Sequence, residues 1–191
     1  MARRDPERTR EQILDAALHE FGEHGYAGAR TAAIAARAGV NQQLISYHFG
    51  GKAGLHQAVI DRWPATGAPL RDGDLAEVVA NFVRAGAAEP AWGRMLVWSE
   101  LTGELDAESR DTVDNGYLGA MVDDLRARQE RGELAADLDP AYVQLMLFAA
   151  TVAPYVLSRT ARGMTGLDPA SPEFVERYAE TLGRVVARLQ G

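Results

Sequence analysis

The sequence TAAIAARAGVNQQLISYHFGGKAGL, residues 31 to 55, decides the fold because its small, apolar and polar positions suit two short helices that cross at a turn. Thr31 is predicted to cap the first helix, whose inward face carries Ile34, Ala35 and Ala38. Gly39 supplies the turn, because glycine adopts a left-handed backbone without a Cβ clash. The stretch therefore predicts a helix-turn-helix unit.

The second helix of this unit is predicted to begin after Asn41, a good capping residue, and to run to about Phe49. Val40 anchors the turn, while Ile45 and Phe49, four residues apart, point back to the core. The side chains left facing outward are Gln42, Gln43, Leu44, Ser46 and Tyr47. Because the second helix of a helix-turn-helix lies in the major groove, these residues are candidates for contact with DNA.

The pattern resembles the DNA-binding end of TetR-type (tetracycline-repressor-like) regulators. The matching residues are Thr31, Ile34-Ala35, Ala38-Gly39-Val40, Tyr47-His48-Phe49, Lys52 and Leu55, preceded by Ile13, Leu14, Ala16, Ala17, Phe21 and His24-Gly25-Tyr26. The resemblance ends near Trp63, and it implies a three-helix DNA-binding domain followed by a larger helical domain for ligand binding and dimerisation. Ser46 stands where the family usually has tyrosine, so one common DNA contact is shortened or lost.

Two adjacent glutamines are the strongest candidates for base recognition, because an amide can donate to adenine and accept from it together. Leu44 is placed to touch a thymine methyl group, and the resemblance implies phosphate contacts for Thr31, Tyr47 and His48. His48 could equally be a core residue. The complete predicted DNA-binding set is Thr31, Asn41, Gln42, Gln43, Leu44, Ser46, Tyr47, His48 and Lys52.

Lys52 is the only lysine in the chain, and it is predicted to open a further helix directly after Gly50 and Gly51. Backbone N–H groups and the positive end of the helix dipole favour an anion at such a position. An ammonium group there would add to that attraction. The sequence therefore predicts a phosphate contact at Lys52.

The net charge of −7 is unevenly distributed over the 191 residues. Residues 1 to 63 hold eight Arg/Lys against seven Asp/Glu, while residues 64 to 191 hold twelve against twenty. Phosphate contact is local, so a nearly neutral DNA-binding part can bind a duplex while the acidic part stays clear of it. The predicted partner is double-stranded DNA with a palindromic operator.

Helical periodicity dominates the chain, and the predicted fold class is all-α. The segment from Pro64 to Gly73 interrupts the pattern, so we expect a DNA-binding domain over residues 1–63 and a ligand-sensing and dimerisation domain over 64–191. The predicted helices span residues 9–24, 52–63, 75–88, 91–102, 109–131, 140–162 and 171–190, besides the helix-turn-helix pair. Pro154 predicts a kink or break between Ala150 and Pro154.

The last predicted helix carries a broad apolar stripe, and the segment from Pro140 to Ser158 has no charged residue. The stripe is formed by Phe174, Tyr178, Leu182, Val185 and Leu189. Together the two helices predict a self-complementary four-helix interface in a homodimer, as the resemblance also implies. A membrane span over 140–158 is the less favoured alternative, because Gln144, Thr151 and two prolines interrupt it.

Large, adaptable side chains concentrate in the middle of the chain: Trp92, Met95, Trp98, Tyr117, Met121, Phe148 and Tyr155. Side chains of this kind at helical spacing usually fill a core. The family resemblance instead implies that some of them line a pocket for a small, largely apolar effector that releases a repressor from its operator. Both alternatives remain open from the sequence.

An enzyme is the main rival from another class of protein. All four histidines precede Trp63, and the chain has no cysteine, which leaves the larger part without imidazole or thiol chemistry. His19 and His24 are five residues apart, about 140° around a helix, so they do not form the zinc pair of a metalloprotease. We expect no catalytic residue, metal or cofactor, and a cytoplasmic location because the basic N-terminus lacks an apolar signal region. A DNA-binding regulator with a closed second domain, controlled by a partner protein or by nothing, also remains possible.

Overall fold

The computed structural model describes residues 6–102 and 118–189, and every regular element within these ranges is helical. The α-helices are α1 (Pro6–Gly28), α2 (Thr31–Ala38), α3 (Gln43–Phe49), α4 (Lys52–Gly67), α5 (Leu75–Ala88), α6 (Ala91–Thr102), α7 (Gly119–Glu130), α8 (Pro140–Val156), α9 (Ser158–Thr165) and α10 (Pro172–Ala187). A short 3₁₀ segment, Ala68–Arg71, precedes α5. The predicted all-α class is confirmed.

The chain packs as two compact units. Helices α1 to α4 and α6 form the first unit, and the 3₁₀ segment, α5 and α7 to α10 form the second. Helix α6 therefore packs with the N-terminal helices, although it follows α5 in the chain. The division of function at residue 63 remains a prediction from the sequence.

The first unit is organised around one apolar core shared by its helices. Its largest fully buried side chains are Ile13, Leu14, Phe21, Ile34, Ile45, Leu55 and Val59. Helix α6 crosses α1 at Gly22, where a Cβ atom would lie 2.8 Å from the carbonyl oxygen of Ala91. Only glycine permits so close a crossing. Helix α1 extends past its predicted end, through a kink at Gly25, to Gly28.

In the second unit, α5 packs against both α10 and α8, and α7 packs against α8. The core joins Leu75, Val79, Leu125, Leu134, Val143, Leu147 and Val186. Prolines occupy the first turn of α8 and α10, where the missing N–H of a proline costs nothing. The side chains of Asp139 and Ser171 cap these two helices.

A buried arginine fixes the segment that leads into α5. The guanidinium of Arg128, on α7, donates to the carboxylates of Asp124 and Glu133 and to the backbone carbonyls of Arg71 and Gly73. A buried charge is tolerated only when its donors are satisfied in this way. Arg128 therefore ties α7 to the chain before α5.

The helix predicted over 140–162 is broken at Leu157 into α8 and α9, just beyond the interval predicted for a kink or break. Pro154 lies inside α8 and cannot donate to the carbonyl of Ala150. The hydroxyl of Tyr178, on α10, donates to that carbonyl at 2.8 Å instead. The helix continues through Pro154 because a neighbouring helix satisfies the carbonyl that proline leaves without a donor.

No single helix in the described part of the chain is long and apolar enough to cross a membrane. Helices α8 and α9 reach that length and hydropathy only as a pair, and they are bent by 90° where they join.

Besides the bounds of α1, three predicted helix bounds were wrong. Helix α4 continues to Gly67 rather than ending at Trp63, and α10 ends at Ala187, short of residue 190. The third error is the continuous helix over 140–162, which the break at Leu157 divides. Helix α7 begins at Gly119, and the predicted start at Ser109 lies outside the described residues.

The bond between Tyr178 and Ala150 predicts a specific coupling with Pro154. Replacing Tyr178→Phe removes the donor to a carbonyl that has no helical partner, and should lower the free energy of unfolding by about 1–3 kcal/mol. Replacing Pro154→Ala restores an N–H that can serve this carbonyl, so Tyr178→Phe should cost less in that background. Urea denaturation of the two single variants and the double variant measures the coupling. Equal costs in both backgrounds would contradict this account.

Candidate nucleic-acid interface

The turn between α2 and α3 is built on Gly39, which has φ 66° and ψ 34°. Its N–H donates to the carbonyl of Ala36 at 3.2 Å, and the N–H of Val40 donates to the carbonyl of Ala35 at 3.0 Å. These two bonds form a Schellman motif, which satisfies the last carbonyls of α2. A Cβ atom at Gly39 would have no neighbouring atom within 4 Å. A residue other than glycine would therefore pay only for its left-handed backbone conformation, about 1–2 kcal/mol. The predicted turn is confirmed.

The predicted cap at Thr31 was wrong, because α2 begins with Thr31 itself and its capping residue is Arg30, which makes no side-chain cap. The N–H of Arg30 donates instead to the carboxylate of Glu20 on α1 at 3.2 Å. A side chain of another helix thus satisfies this donor. The hydroxyl of Thr31 accepts a hydrogen bond from the Nε2 of Gln42 at 2.9 Å.

Helix α3 begins at Gln43 and its capping residue is Gln42, so the predicted cap at Asn41 was one residue too early. The Oδ1 of Asn41 accepts from the N–H of Gln43 at 2.9 Å, and its carbonyl accepts from the N–H of Leu44 at 3.0 Å. Asn41 therefore fixes the first turn of α3. This places the side chains of Gln42 and Gln43 at the exposed opening of the helix.

The outer surface of α3 carries most of the predicted contacts. Gln42, Gln43 and Ser46 are exposed, and Tyr47 is 81% exposed. Ile45 on the opposite side is 1% exposed and lies in the core. An exposed tyrosine on a short helix is free to reach a partner.

Leu44 and His48 are only half-buried, which separates them from the fully exposed residues. Leu44 packs against the core of the first unit. The ring of His48 lies 5.0 Å from that of Tyr47, edge to face, and next to the ring of Phe49. The ring of His48 thus packs against the ring of Tyr47. This packing is compatible with the predicted contact between His48 and a DNA phosphate.

Lys52 opens α4 as predicted. Its ammonium group lies 4.7 Å from the ring centroid of Tyr26 and donates to the carbonyl of Ala27 at 3.3 Å. An ammonium has three donors, so these contacts leave capacity for an anion. Sequence reasoning missed the contact with Tyr26, because residues far apart along the chain form it.

A charged cluster beside α2 was also missed. Glu20, Glu23 and His24 share one turn of α1, close enough together for their ligand atoms to hold a metal ion. Glu23, however, lies 3.4 Å from the guanidinium of Arg37 on α2, which opposes a cation. The carboxylate of Glu20 already accepts a hydrogen bond from the N–H of Arg30. The cluster therefore fixes α2 against α1.

Comparison with known proteins agrees with this geometry. The model described as "Bacterial regulatory proteins, tetR family" matches residues 13–59, and the "Tetracyclin repressor-like, C-terminal domain" model matches residues 74–188. The chain belongs to the TetR family.

Curated relatives of this TetR-family protein are transcriptional regulators. The HTH-type transcriptional repressor SCO4008 of Streptomyces coelicolor is 35% identical over 156 residues, covering 78% of this chain and 79% of the relative. The HTH-type transcriptional regulator RutR of Escherichia coli K12 is 26% identical, covering 91% of this chain and 86% of the relative. This chain is accordingly a DNA-binding transcriptional regulator and not an enzyme.

Solved structures share the fold. The putative transcriptional regulator SCO4942 of Streptomyces coelicolor superposes with a TM-score of 0.71 at 24% identity, covering 93% of this chain and 97% of the other. A gamma-butyrolactone receptor described as ArpA-like superposes with a TM-score of 0.65 at 19% identity, covering 96% and 99%. At these identities the likeness concerns the fold alone.

The predicted ligand-binding residues are divided between the two units of this TetR-family regulator. Met95 is buried, Trp92 half-buried and Trp98 exposed on α6. In the second unit, the hydroxyl of the buried Tyr155 donates to the carbonyl of Val83. Met121 and Phe148 are half-buried there, and Tyr117 lies outside the described residues. Their part in ligand binding remains a prediction.

Most of the predicted dimer stripe is occupied within its own unit. Phe174 is buried and stacks on Tyr178, while Leu182 and Leu189 pack against the core of the second unit. Val185 is 49% exposed. On α8, which lies in the second segment predicted to share this interface, Tyr142, Leu145 and Met146 are all more than 60% exposed. Exposed apolar side chains on one helix are a feature of protein interfaces.

The position of Lys52 predicts a salt-dependent contribution to DNA binding. Replacing Lys52→Gln removes one cation, and should lower affinity evenly across sequences and reduce the magnitude of the salt slope by about one. Lys52→Arg keeps the charge and should preserve most of the slope. Titrations of a fluorescent operator duplex at several salt concentrations measure both quantities. An unchanged slope for Lys52→Gln would remove Lys52 from the interface.

Proposed function

We propose that this regulator is a homodimeric repressor of the cytoplasm that binds a palindromic operator and is released from it by a small, largely apolar ligand. One observation carries the DNA-binding part of this proposal. The amides of Gln42 and Gln43 stand exposed at the opening of α3, while Ile45 holds the opposite face of the same helix in the core. A helix held in this way presents its first residues to base edges in the major groove.

The exposed apolar side chains of the second unit support the proposed dimer. Tyr142, Leu145 and Met146 on α8 and Val185 on α10 expose apolar surface that a second copy of the chain can cover. TetR-family regulators bind DNA as dimers, which supports this assignment. Two copies of α3 must lie roughly 34–36 Å apart to enter successive major grooves.

A specific observation favours the alternative, a regulator whose second domain is closed. Tyr155 fills the space between α8 and α5, since a Cβ atom at Gly86 would lie 2.5 Å from its ring. Burial raises the pKa of Tyr155 to about 12, so its hydroxyl stays protonated and donates to the carbonyl of Val83. A ligand that entered here would have to displace this ring.

A surface pocket of about 320 Å³ lies elsewhere in the second unit, lined by Ser158, Arg159 and Arg162 of α9. None of these residues belongs to the predicted ligand-binding set. Their polar and cationic character does not match an apolar effector. This pocket therefore does not account for the apolar effector that we propose.

Selection of bound duplexes from a random pool tests the DNA-binding proposal. The protein should select a palindrome whose half-sites are about one helical turn apart. Gln43→Ala should then relax the preference at one base pair per half-site by roughly 1–3 kcal/mol. If Gln43→Ala weakens all single-base variants of the site equally, Gln43 does not recognise a base. Failure of the unaltered protein to select any sequence would contradict sequence-specific binding.

The effector proposal predicts a reciprocal effect on stability and DNA binding. An apolar compound that raises the melting temperature by binding the DNA-free form should also weaken operator binding, because linkage between two sites is reciprocal. Thermal shift measurements followed by operator titrations of each stabilising compound provide the test. Stabilising compounds that leave operator affinity unchanged, or the absence of any among apolar compounds, would favour the closed regulator.

A further inference from the structure

The two helices of the helix-turn-helix are joined by a side-chain hydrogen bond that capping does not explain. The Nε2 of Gln42 donates to the Oγ1 of Thr31, eleven residues earlier, at 2.9 Å. Gln42 immediately precedes α3, and Thr31 is the first residue of α2. Neither helix gains a cap from this bond, since the donor and the acceptor are both side-chain atoms.

The neighbouring glutamine provides a contrast. Gln43 is also exposed, but within the described part of the chain its side-chain amide has no hydrogen-bond partner. Two chemically identical side chains at adjacent positions thus differ in freedom. One is held in place before any DNA arrives, and the other is solvated.

The bond with Thr31 leaves Gln42 able to recognise a base. An amide group has two N–H donors and one carbonyl acceptor, so one N–H and the carbonyl remain available. One donor and one acceptor are what a bidentate contact with adenine requires. The same bond uses a lone pair of the Thr31 hydroxyl, whose own O–H can still donate to a phosphate oxygen.

We propose that Thr31 is a positioning residue for specificity, which fixes the amide of Gln42 for contact with one base and links that contact to the phosphate beside α2. This inference rests on the proposed sequence-specific DNA binding. Because Gln42 is held before binding, less rotational freedom is lost when the base contact forms. Gln43 gains no such advantage.

The experiment measures affinities for the selected operator and for its single-base variants. The proteins are the unaltered chain, Thr31→Val, Thr31→Ser, Gln42→Ala, Gln43→Ala and the double variants of Thr31→Val with each alanine change. Valine keeps the branched shape of threonine without its hydroxyl, and serine keeps the hydroxyl. Thermal unfolding of each variant confirms that it is folded, and Thr31→Ala replaces Thr31→Val if valine disturbs the fold.

Thr31→Val should reduce discrimination at the base pair that Gln42 contacts by roughly three- to tenfold, from the cost of ordering one free side chain. Thr31→Ser should restore it. In the Gln42→Ala background, Thr31→Val should cause no further loss at that base pair, whereas its effect should persist in the Gln43→Ala background.

Two results would overturn the inference, and they differ from failure of the proposed function. Thr31→Val could weaken all operator variants evenly, which would leave Thr31 with a phosphate contact alone. Its effect at the base pair could also persist unchanged in the Gln42→Ala background. If the unaltered protein selects no sequence, sequence-specific binding itself fails, and this inference fails with it.

Discussion

The left-handed turn at Gly39 is the constraint on which DNA binding by this protein depends. The Schellman bonds of Gly39 and Val40 end α2 and turn the chain at once into α3, so that Ile45 enters the core. The exposed face of α3 is then determined, because a helix with one buried side presents the opposite side to solvent. Everything proposed about Gln42 and Gln43 follows from that orientation.

A common principle supports the turn and the rest of the fold: side chains from other helices satisfy backbone groups that the local sequence leaves without partners. Glu20 receives the N–H of Arg30 at the start of α2. Tyr178 donates to the carbonyl of Ala150, which Pro154 leaves without a helical donor. An unpaired backbone group away from water costs free energy comparable to a lost hydrogen bond, so these two partly buried contacts stabilise the packing of the helices that form them.

The DNA-binding and sensing proposals rest on different kinds of observation. The DNA-binding proposal rests on the exposed amides of Gln42 and Gln43 at the start of α3, a helix whose opposite face is buried in the core. The sensing proposal concerns the second unit, where Tyr155 of α8 is buried and donates a hydrogen bond to the carbonyl of Val83 on α5. A ligand shifts an equilibrium only as far as its affinities for the two states differ, so release from DNA requires a second arrangement of these helices.

The sequence by itself determined the all-α class, the turn at Gly39 and the outward position of Gln43, because periodicity and glycine geometry act over a few residues. Tertiary structure alone decided that Thr31 binds Gln42 rather than capping α2, and that Tyr178 faces α8 within its own unit. These contacts join residues eleven or more positions apart. No local pattern specifies such pairs, since they depend on how helices pack.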